Sequence, residues 1–318
     1  MTTAAQRGPT AEALSFEAVV KRYRSVTALD GLSFDVQRGE MFGLIGPDGA
    51  GKTTSIRLLC GLLHADGGTV RVLGKDPVRE HRALTASVGY LSQRFSLYGD
   101  LSIDENIAFF AEIHGVTKFK DRRNQLLDMT QLTPFRRRLA DQLSGGMKQK
   151  LALACTLVHE PDVIFLDEPT TGVDPVSRRE FWKLLSEFLA QGITILMSTP
   201  YLDEAERCSR VALLHEGKLL ALDKPGRLRQ SLQGTLLEVI VPDVREARHT
   251  LREHGLTRTQ IFGDRLHVWL QTGDRDEAAR QFDATARSAG LTPSSVRPVV
   301  PSLEDVFIEK LAAPTDAA

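Results

Sequence analysis

Gly46–Thr54, GPDGAGKTT, is the stretch from which the rest of the chain is read. It has the spacing G-x-x-x-x-G-K-[ST], with Gly46 and Gly51 at the glycine positions, then Lys52 and Thr53. Glycines let backbone N–H groups turn inward around a phosphate chain. A helix that follows points its positive N-terminal end at the same anion. The run Gly46, Pro47, Asp48, Gly49, Ala50, Gly51, Lys52, Thr53 and Thr54 is therefore expected to cradle a nucleotide's phosphates. Lys52 supplies a mobile positive charge to the terminal phosphates, and the Thr53 hydroxyl is placed for Mg²⁺. The flanks agree. MFGLI (Met41–Ile45) predicts a short buried strand before the loop, and SIRLLCGLL (Ser55–Leu63) predicts a helix after it. An accidental glycine-rich turn would not bring strand, loop and helix in that order.

Working outward, LSFEAVV (Leu14–Val20) and LSFDV (Leu32–Val36) alternate as half-buried strands do, with polar and Gly turn signals between them. A strand is expected within Ala65–Gly74 and another at VGYLSQ (Val88–Gln93). From Ser102 to Val158 the pattern turns helical, an insertion into an α/β framework. VIFLD (Val163–Asp167) returns to a buried strand. A helix over Pro175–Ala190, a strand over Ile193–Ser198, a helix over Tyr201–Cys208 and a hairpin of VALLH with LLAL follow. Strands alternating with helices imply a mainly parallel sheet covered on both faces. A boundary is expected near Gln233–Gly234. Beyond it the order β-α-β-β-α-β predicts a small ferredoxin-like α+β domain over 234–312, closed by PSLEDVFIEKL with Ser302 as N-cap. Residues 1–13 and 313–318 are expected to be disordered tails, leaving 14–232 as the main domain.

Bulk composition narrows the classes. The chain has 318 residues, 42% hydrophobic, enough for one large domain and a small one. A net charge of −1 argues against a nucleic-acid binder, and none is expected as partner. No apolar run approaches the ~18 residues of a membrane span, and MTTAAQRGPTAEA lacks the apolar core of a secretory signal. Three cysteines, Cys60, Cys155 and Cys208, lie far apart without a C-x-x-C pair, so reduced, packed thiols are expected. Eight scattered histidines make no case for zinc. These features point to a soluble cytoplasmic protein.

Two further motifs carry chemistry. VIFLDEP (Val163–Pro169) delivers two carboxylates at the C-terminal edge of a strand, where open α/β sheets bind ligands. Asp167 is expected to hold Mg²⁺, and Glu168 to face the attacking water as base or orienter. LSGGMKQK (Leu143–Lys150) opens a helix with Ser-Gly-Gly, a second anion-binding helix N-terminus.

The order GPDGAGKTT, LSGG, LDEP resembles the ATP-binding cassette (ABC) ATPases over about Leu14–Leu232. The resemblance implies a P-loop cassette with an inserted helical subdomain over 102–158, and ATP with Mg²⁺ as cofactors. It implies a second cassette as partner, identical or not, with Ser144, Gly145 and Gly146 of one closing over the γ-phosphate held by the other. Tyr23 resembles the aromatic that stacks on adenine, although a lone tyrosine is more often packing. Gln93 resembles the glutamine that senses Mg²⁺ and water and relays nucleotide state to a membrane partner. Asp174 in TGVDP resembles the aspartate of the loop that crosses the dimer interface. Phe95, Leu97 and Tyr98 either line a groove for a permease helix or pack in the core.

Two departures stand out. Met147 replaces a common glutamine, with little effect expected. Pro200, in STPYLDEAE, stands where the family usually has a histidine that contacts the γ-phosphate. Proline offers neither a titratable group nor an N–H. Slow hydrolysis, compensation by another residue, and pairing with a complete second cassette are all open, as is tolerated drift. The wording of the motifs and the small C-terminal domain most resemble bacterial drug-exporter ATPases that work with ABC-2 type permeases. The expectation is thus an exporter ATPase at the inner face of the cell membrane. The alternatives are a low-turnover regulatory cassette and a soluble non-transport ABC ATPase acting on ribosomes or DNA.

Overall fold

The computed structural model describes residues 12–93 and 96–312. Most of the two expected tails and Phe95 lie outside those residues. By contact the chain divides into two compact units, 1–224 and 225–318. The division falls before a short helix that the sequence pattern assigns to the first domain.

In chain order the first unit runs β1 (Glu12–Tyr23), β2 (Val26–Gln37), β3 (Met41–Ile45), α1 (Lys52–Leu59), β4 (Gly67–Val72), α2 (His81–Leu84), β5 (Val88–Leu91) and α3 (Ile103–Ile113). It continues with α4 (Lys120–Met129), α5 (Gly145–Leu157), β6 (Val163–Asp167), α6 (Pro175–Ala190), β7 (Thr194–Thr199), α7 (Leu202–Ala205), β8 (Arg210–His215) and β9 (Lys218–Asp223). Six strands form one sheet in the order β5-β6-β7-β3-β8-β9, parallel except for β9. The parallel strands β3, β6 and β7 are buried at every residue, as expected of strands covered on both faces. Three antiparallel strands, β2-β1-β4, make a second sheet. Phe16, Phe34 and Phe42 stack in series, with ring centroids 4.6 and 5.4 Å apart, and join the two sheets in one core.

Several expectations need correction. KRYRSVTALDG is not an extended turn: β1 and β2 pair from Glu12–Gln37 to Tyr23–Val26, leaving Arg24 and Ser25 as the turn. Cross-strand hydrogen bonds override the polar composition of a ribbon that is solvated on one side. Glu12 and Ala13, assigned to the tail, belong to β1. Helix α1 starts at Lys52 and stops at Leu59, because Gly61 adopts φ +67° and ends it. Helix α7 covers only Leu202–Ala205 of the expected Tyr201–Cys208.

The inserted helical segment has a well-defined entry. Ser102 caps α3 in a capping box with Glu105. Asn106, fully buried, accepts from the Tyr98 N–H at 3.0 Å and donates to the carbonyls of Tyr98, Leu101 and Ser102. That one amide fixes residues 98–102 at the entry to the insertion. Tyr98 stays exposed, its ring 4.5 Å edge-on to Phe109, while Leu97 is half-buried.

The second unit runs α8 (Pro225–Gln230), β10 (Thr235–Ile240), α9 (Val244–Glu253), β11 (Thr259–Phe262), β12 (Arg265–Leu270), α10 (Arg275–Ser288), β13 (Ser295–Val299) and α11 (Leu303–Ala312). Its antiparallel sheet has the order β11-β12-β10-β13, the ferredoxin-like arrangement. The core, including Leu237, Val239, Leu251, Leu266, Val268 and Phe282, comes from its own strands and from α9 and α10. Ser302 caps α11: its hydroxyl accepts from the Asp305 N–H while the Asp305 carboxylate accepts from the Ser302 N–H. Among the described residues no helix is long and apolar enough to cross a membrane.

Candidate nucleotide site

Strand β3 ends at Ile45, β6 at Asp167 and β7 at Thr199, and because the three run parallel their C-terminal ends open on one edge of the sheet. The GPDGAGKTT loop leaves β3, which pairs with β7 on one side and β8 on the other. Its backbone is held by its neighbours. Gly51 adopts φ +101°, and a Cβ there would lie 2.6 Å from the Ala28 carbonyl oxygen, so only glycine fits between loop and β2. No side chain caps the first turn of α1, which leaves its N–H groups directed at whatever anion sits on the loop.

Around that turn the side chains converge. The Lys52 ammonium donates to the carbonyls of Gly46 (2.8 Å) and Pro47 (3.1 Å) and pairs with Glu168 at 3.2 Å. The Thr53 hydroxyl donates to Asp167 at 3.0 Å. Gln93 Nε2 donates to Glu168 at 3.0 Å. Five expected residues, Lys52, Thr53, Gln93, Asp167 and Glu168, thus form one connected cluster. Glu168 reaches it through a left-handed backbone, φ +48°, unusual for a non-glycine residue and costing roughly 1–2 kcal/mol. Its N–H is fixed by both the hydroxyl (3.0 Å) and the carbonyl (3.2 Å) of Ser198.

Ser198 is a residue that sequence reasoning missed. It is fully buried, and its hydroxyl also donates to Asp167 at 2.6 Å. One hydroxyl thereby positions both acidic residues of VIFLDEP. Glu204, 1% exposed, is the second omission. It accepts from Thr170 and Thr199 and lies 3.7 Å from Arg178, whose guanidinium stacks over Tyr201. This cluster ties the end of β7 to α6 and α7 and to the loop after Glu168. The signal for both was the STPYLDEAE segment, where polar residues follow a buried strand. Pro200 lies among them half-buried. Its neighbours Ser198 and Thr199 spend their hydroxyls on Asp167 and Glu204.

The remaining expected residues lie apart from this cluster. Tyr23 sits at the end of the β1–β2 hairpin, 40% exposed, with the Lys21 ammonium 5.6 Å above its ring. Ser144 is the N-cap of α5, its hydroxyl accepting from the Met147 N–H at 3.4 Å, and it is exposed together with Gly145. Gly146 is buried against α6, where a Cβ would meet the Ser177 hydroxyl at 2.2 Å. Asp174 caps α6 by accepting from the N–H groups of Val176 and Ser177, both at 3.0 Å. Hydrogen bonds from Ser177 hold its carboxyl below the usual range. Gly146 and Asp174 therefore meet at the junction of the two helices. Burial pushes the thiol of Cys208 up to about 12, and those of Cys60 and Cys155 higher still, as befits packed thiols.

The residues present fit a nucleotide and its divalent cation. An uncapped helix start and a lysine at the loop suit a phosphate chain. A hydroxyl and a carboxylate within 3.0 Å suit a hard cation whose other ligands are phosphate oxygens and water. Among the described residues no group of three or more His, Cys, Asp or Glu forms a metal cage.

Residues 29–171 match the family model described as ABC transporter. The chain is 42% identical over 287 residues to the probable multidrug ABC transporter ATP-binding protein YbhF of Escherichia coli, covering 88% of this chain and 48% of the relative. It therefore spans about half the length of that relative. It is 40% identical over 300 residues to the Nod factor export ATP-binding protein I of Paraburkholderia xenovorans, covering 93% and 96% of the two chains. A solved structure described as an ATP binding subunit of an ABC transporter superposes with a TM-score of 0.63 at 29% identity, over 69% of this chain and 92% of that one. With the loop, the acidic strand end and the Ser-Gly-Gly helix start in place on this fold, the chain belongs to the ABC transporter family as an ATP-binding cassette with a ferredoxin-like second unit.

Proposed function

We propose that the chain is the ATP-hydrolysing subunit of an exporter, driving efflux of a drug-like or other substrate through a separate membrane permease. The observation that carries this is the connected cluster Lys52–Glu168–Gln93 beside Thr53–Asp167. The reading is also supported by relatives named for multidrug transport and Nod factor export.

In this reading the loop N–H groups and Lys52 hold the phosphates, and Tyr23 stacks on adenine. Thr53, Asp167 and Gln93 would hold Mg²⁺, which would neutralise the charge that develops on the phosphates. Glu168 orients the attacking water and accepts its proton. For that, its carboxylate exchanges the Lys52 ion pair for the water, with Gln93 retaining its other oxygen. Ser144, Gly145 and Gly146 are exposed or backed by α6, and they close over the γ-phosphate of a second cassette, with Asp174 at the same interface. Nucleotide-driven closure is then passed to an ABC-2 type permease, which places the chain on the inner face of the membrane. The test is affinity capture of the chain from native membranes. A multispanning permease that co-purifies and alters ATP turnover is the expected result. Absence of any membrane partner overturns the export reading.

A second reading follows from Pro200. The end of β7 runs Ser198, Thr199, Pro200, none with a titratable side chain, and the two hydroxyls are engaged with Asp167 and Glu204. Turnover is then slow, or it depends on a complete partner cassette. Pro200→His raising the rate by about 10-fold or more supports this reading, and an unchanged or lower rate removes it.

A further inference from the structure

The second unit carries a cleft that nucleotide chemistry does not use. It lies at the edge of the ferredoxin-like sheet, where β11 is the outer strand, and has a volume of about 480 Å³. That is within the range of small-molecule sites. Arg248 and Arg252 of α9, Arg258 and Thr259 at β11, Trp269 of β12 and Ile308 of α11 line it.

Three observations bear on its occupant. First, two polar atoms buried in its wall have no hydrogen-bond partner: the hydroxyl of Thr259, a residue only 8% exposed, and Nε of Arg248. An unmatched buried polar group costs ~1–3 kcal/mol. A basic helix face that was merely solvated would not bury Nε, and a packing threonine would bond a nearby carbonyl. Second, the cleft has uncompensated positive charge. Its two acids are engaged, Glu309 with Arg258 at 2.6 Å and Asp305 with His267 at 2.7 Å. Among the described residues no acidic partner is found for Arg248 or Arg252. Arg245 and His249 continue the same face of α9 along an adjoining hollow of about 570 Å³ that Arg248 and Arg252 share, where the one acid, Glu253, lies 3.5 Å from His249. Third, the wall is not purely polar. The Trp269 ring, backed by the Arg258 guanidinium 5.4 Å from its centroid, stands with Ile308 beside the charged groups.

We propose that this cleft binds a small organic anion, a phosphate or carboxylate carried on an aromatic or apolar body. The anionic head takes Arg248, Arg252 and the Thr259 hydroxyl, and the body lies against Trp269 and Ile308. Charge-assisted bonds from arginine give the head its affinity, and the aromatic surface excludes small inorganic anions as equals.

The test is calorimetric titration of the full chain with 1-naphthyl phosphate, repeated on Lys52→Ala so that binding at the GPDGAGKTT loop is separated. One site is expected in both proteins, weakened at least ~10-fold by Arg248→Gln with Arg252→Gln, a loss of about 1.4 kcal/mol. Thr259→Val is expected to weaken binding severalfold while leaving the melting temperature unchanged or higher, because the hydroxyl has no partner to lose. Inorganic phosphate binding as tightly as the probe, affinity unchanged in the arginine variant, or no heat at millimolar probe each overturns the proposal. So does binding to phosphatidylglycerol vesicles without binding to the free probe, which assigns the face to a lipid surface instead.

Discussion

Ser198 belongs to none of the motifs, yet its hydroxyl donates to Asp167 and receives the Glu168 N–H. The left-handed backbone at Glu168 is held by that contact and by the Ser198 carbonyl. Ser198→Ala removes the hydroxyl from a fully buried position and leaves two polar partners short. Chemical denaturation is expected to show a loss of about 1–3 kcal/mol. ATP turnover is expected to fall about 10-fold at saturating nucleotide, with little change in nucleotide affinity, since Lys52 and the loop are untouched. At this scale the sequence spoke clearly where chemistry demands a fixed residue type at fixed spacing, as for Lys52, Thr53, Asp167 and Glu168. It was silent on Ser198 and Glu204 because a hydroxyl or carboxylate that supports another residue has no spacing rule of its own. Their roles exist only once β6 and β7 lie side by side.

At the scale of elements, residues 98–102 ahead of α3 are organised by Asn106, whose side chain makes four hydrogen bonds to Tyr98, Leu101 and Ser102. Asn106→Ala is expected to cost about 2–4 kcal/mol on denaturation and to raise amide exchange across residues 97–102 ahead of the rest of the unit. A second element-level device is the pair His114 and His159, at the ends of α3 and α5. Their rings stack 3.7 Å apart and 2° from parallel. Burial, then the neighbouring His114, pushes His159 down to about 4, and burial also lowers His114. Both pKa values are depressed in the fold, so the unfolded chain binds more protons between pH 6.5 and about 4. Stability is therefore fully present above pH 6.5 and falls as pH drops through that window. For these half-buried rings the loss is on the order of 2 kcal/mol. Melting curves of His159→Gln, compared with the native chain from pH 7 to 4.5, check it by a flattened dependence. Elements with strong periodicity, α6 and the buried strands β3 and β6, were legible to the residue. The long β1–β2 ribbon was not, because its pairing is decided across strands rather than along them.

For the whole molecule, the mainly parallel sheet of the first unit and the ferredoxin-like order of the second follow from the alternation of strands and helices, whereas the separate antiparallel sheet β2-β1-β4 does not. The helical insertion, too, was visible as a change of period at Ser102. Less legible was the division at Lys224, since α8 has no pattern that assigns it to one core or the other. The cleft beside Trp269 was invisible in sequence for the same reason as Ser198: its lining comes from four separated elements. The first unit holds the loop residues and the two acids in one cluster and Ser144–Gly146 at the start of another helix, which the proposed function reads as half of a catalytic site. The export reading rests on that cluster hydrolysing ATP with Glu168 as the water-activating carboxylate. The most direct measurement is Mg²⁺-dependent phosphate release by the purified chain beside Glu168→Gln. The predicted result is measurable release by the native chain, a fall of at least ~10² in the variant, and ATP still bound to it. Equal rates in the two proteins, or no nucleotide bound by either, would contradict the account.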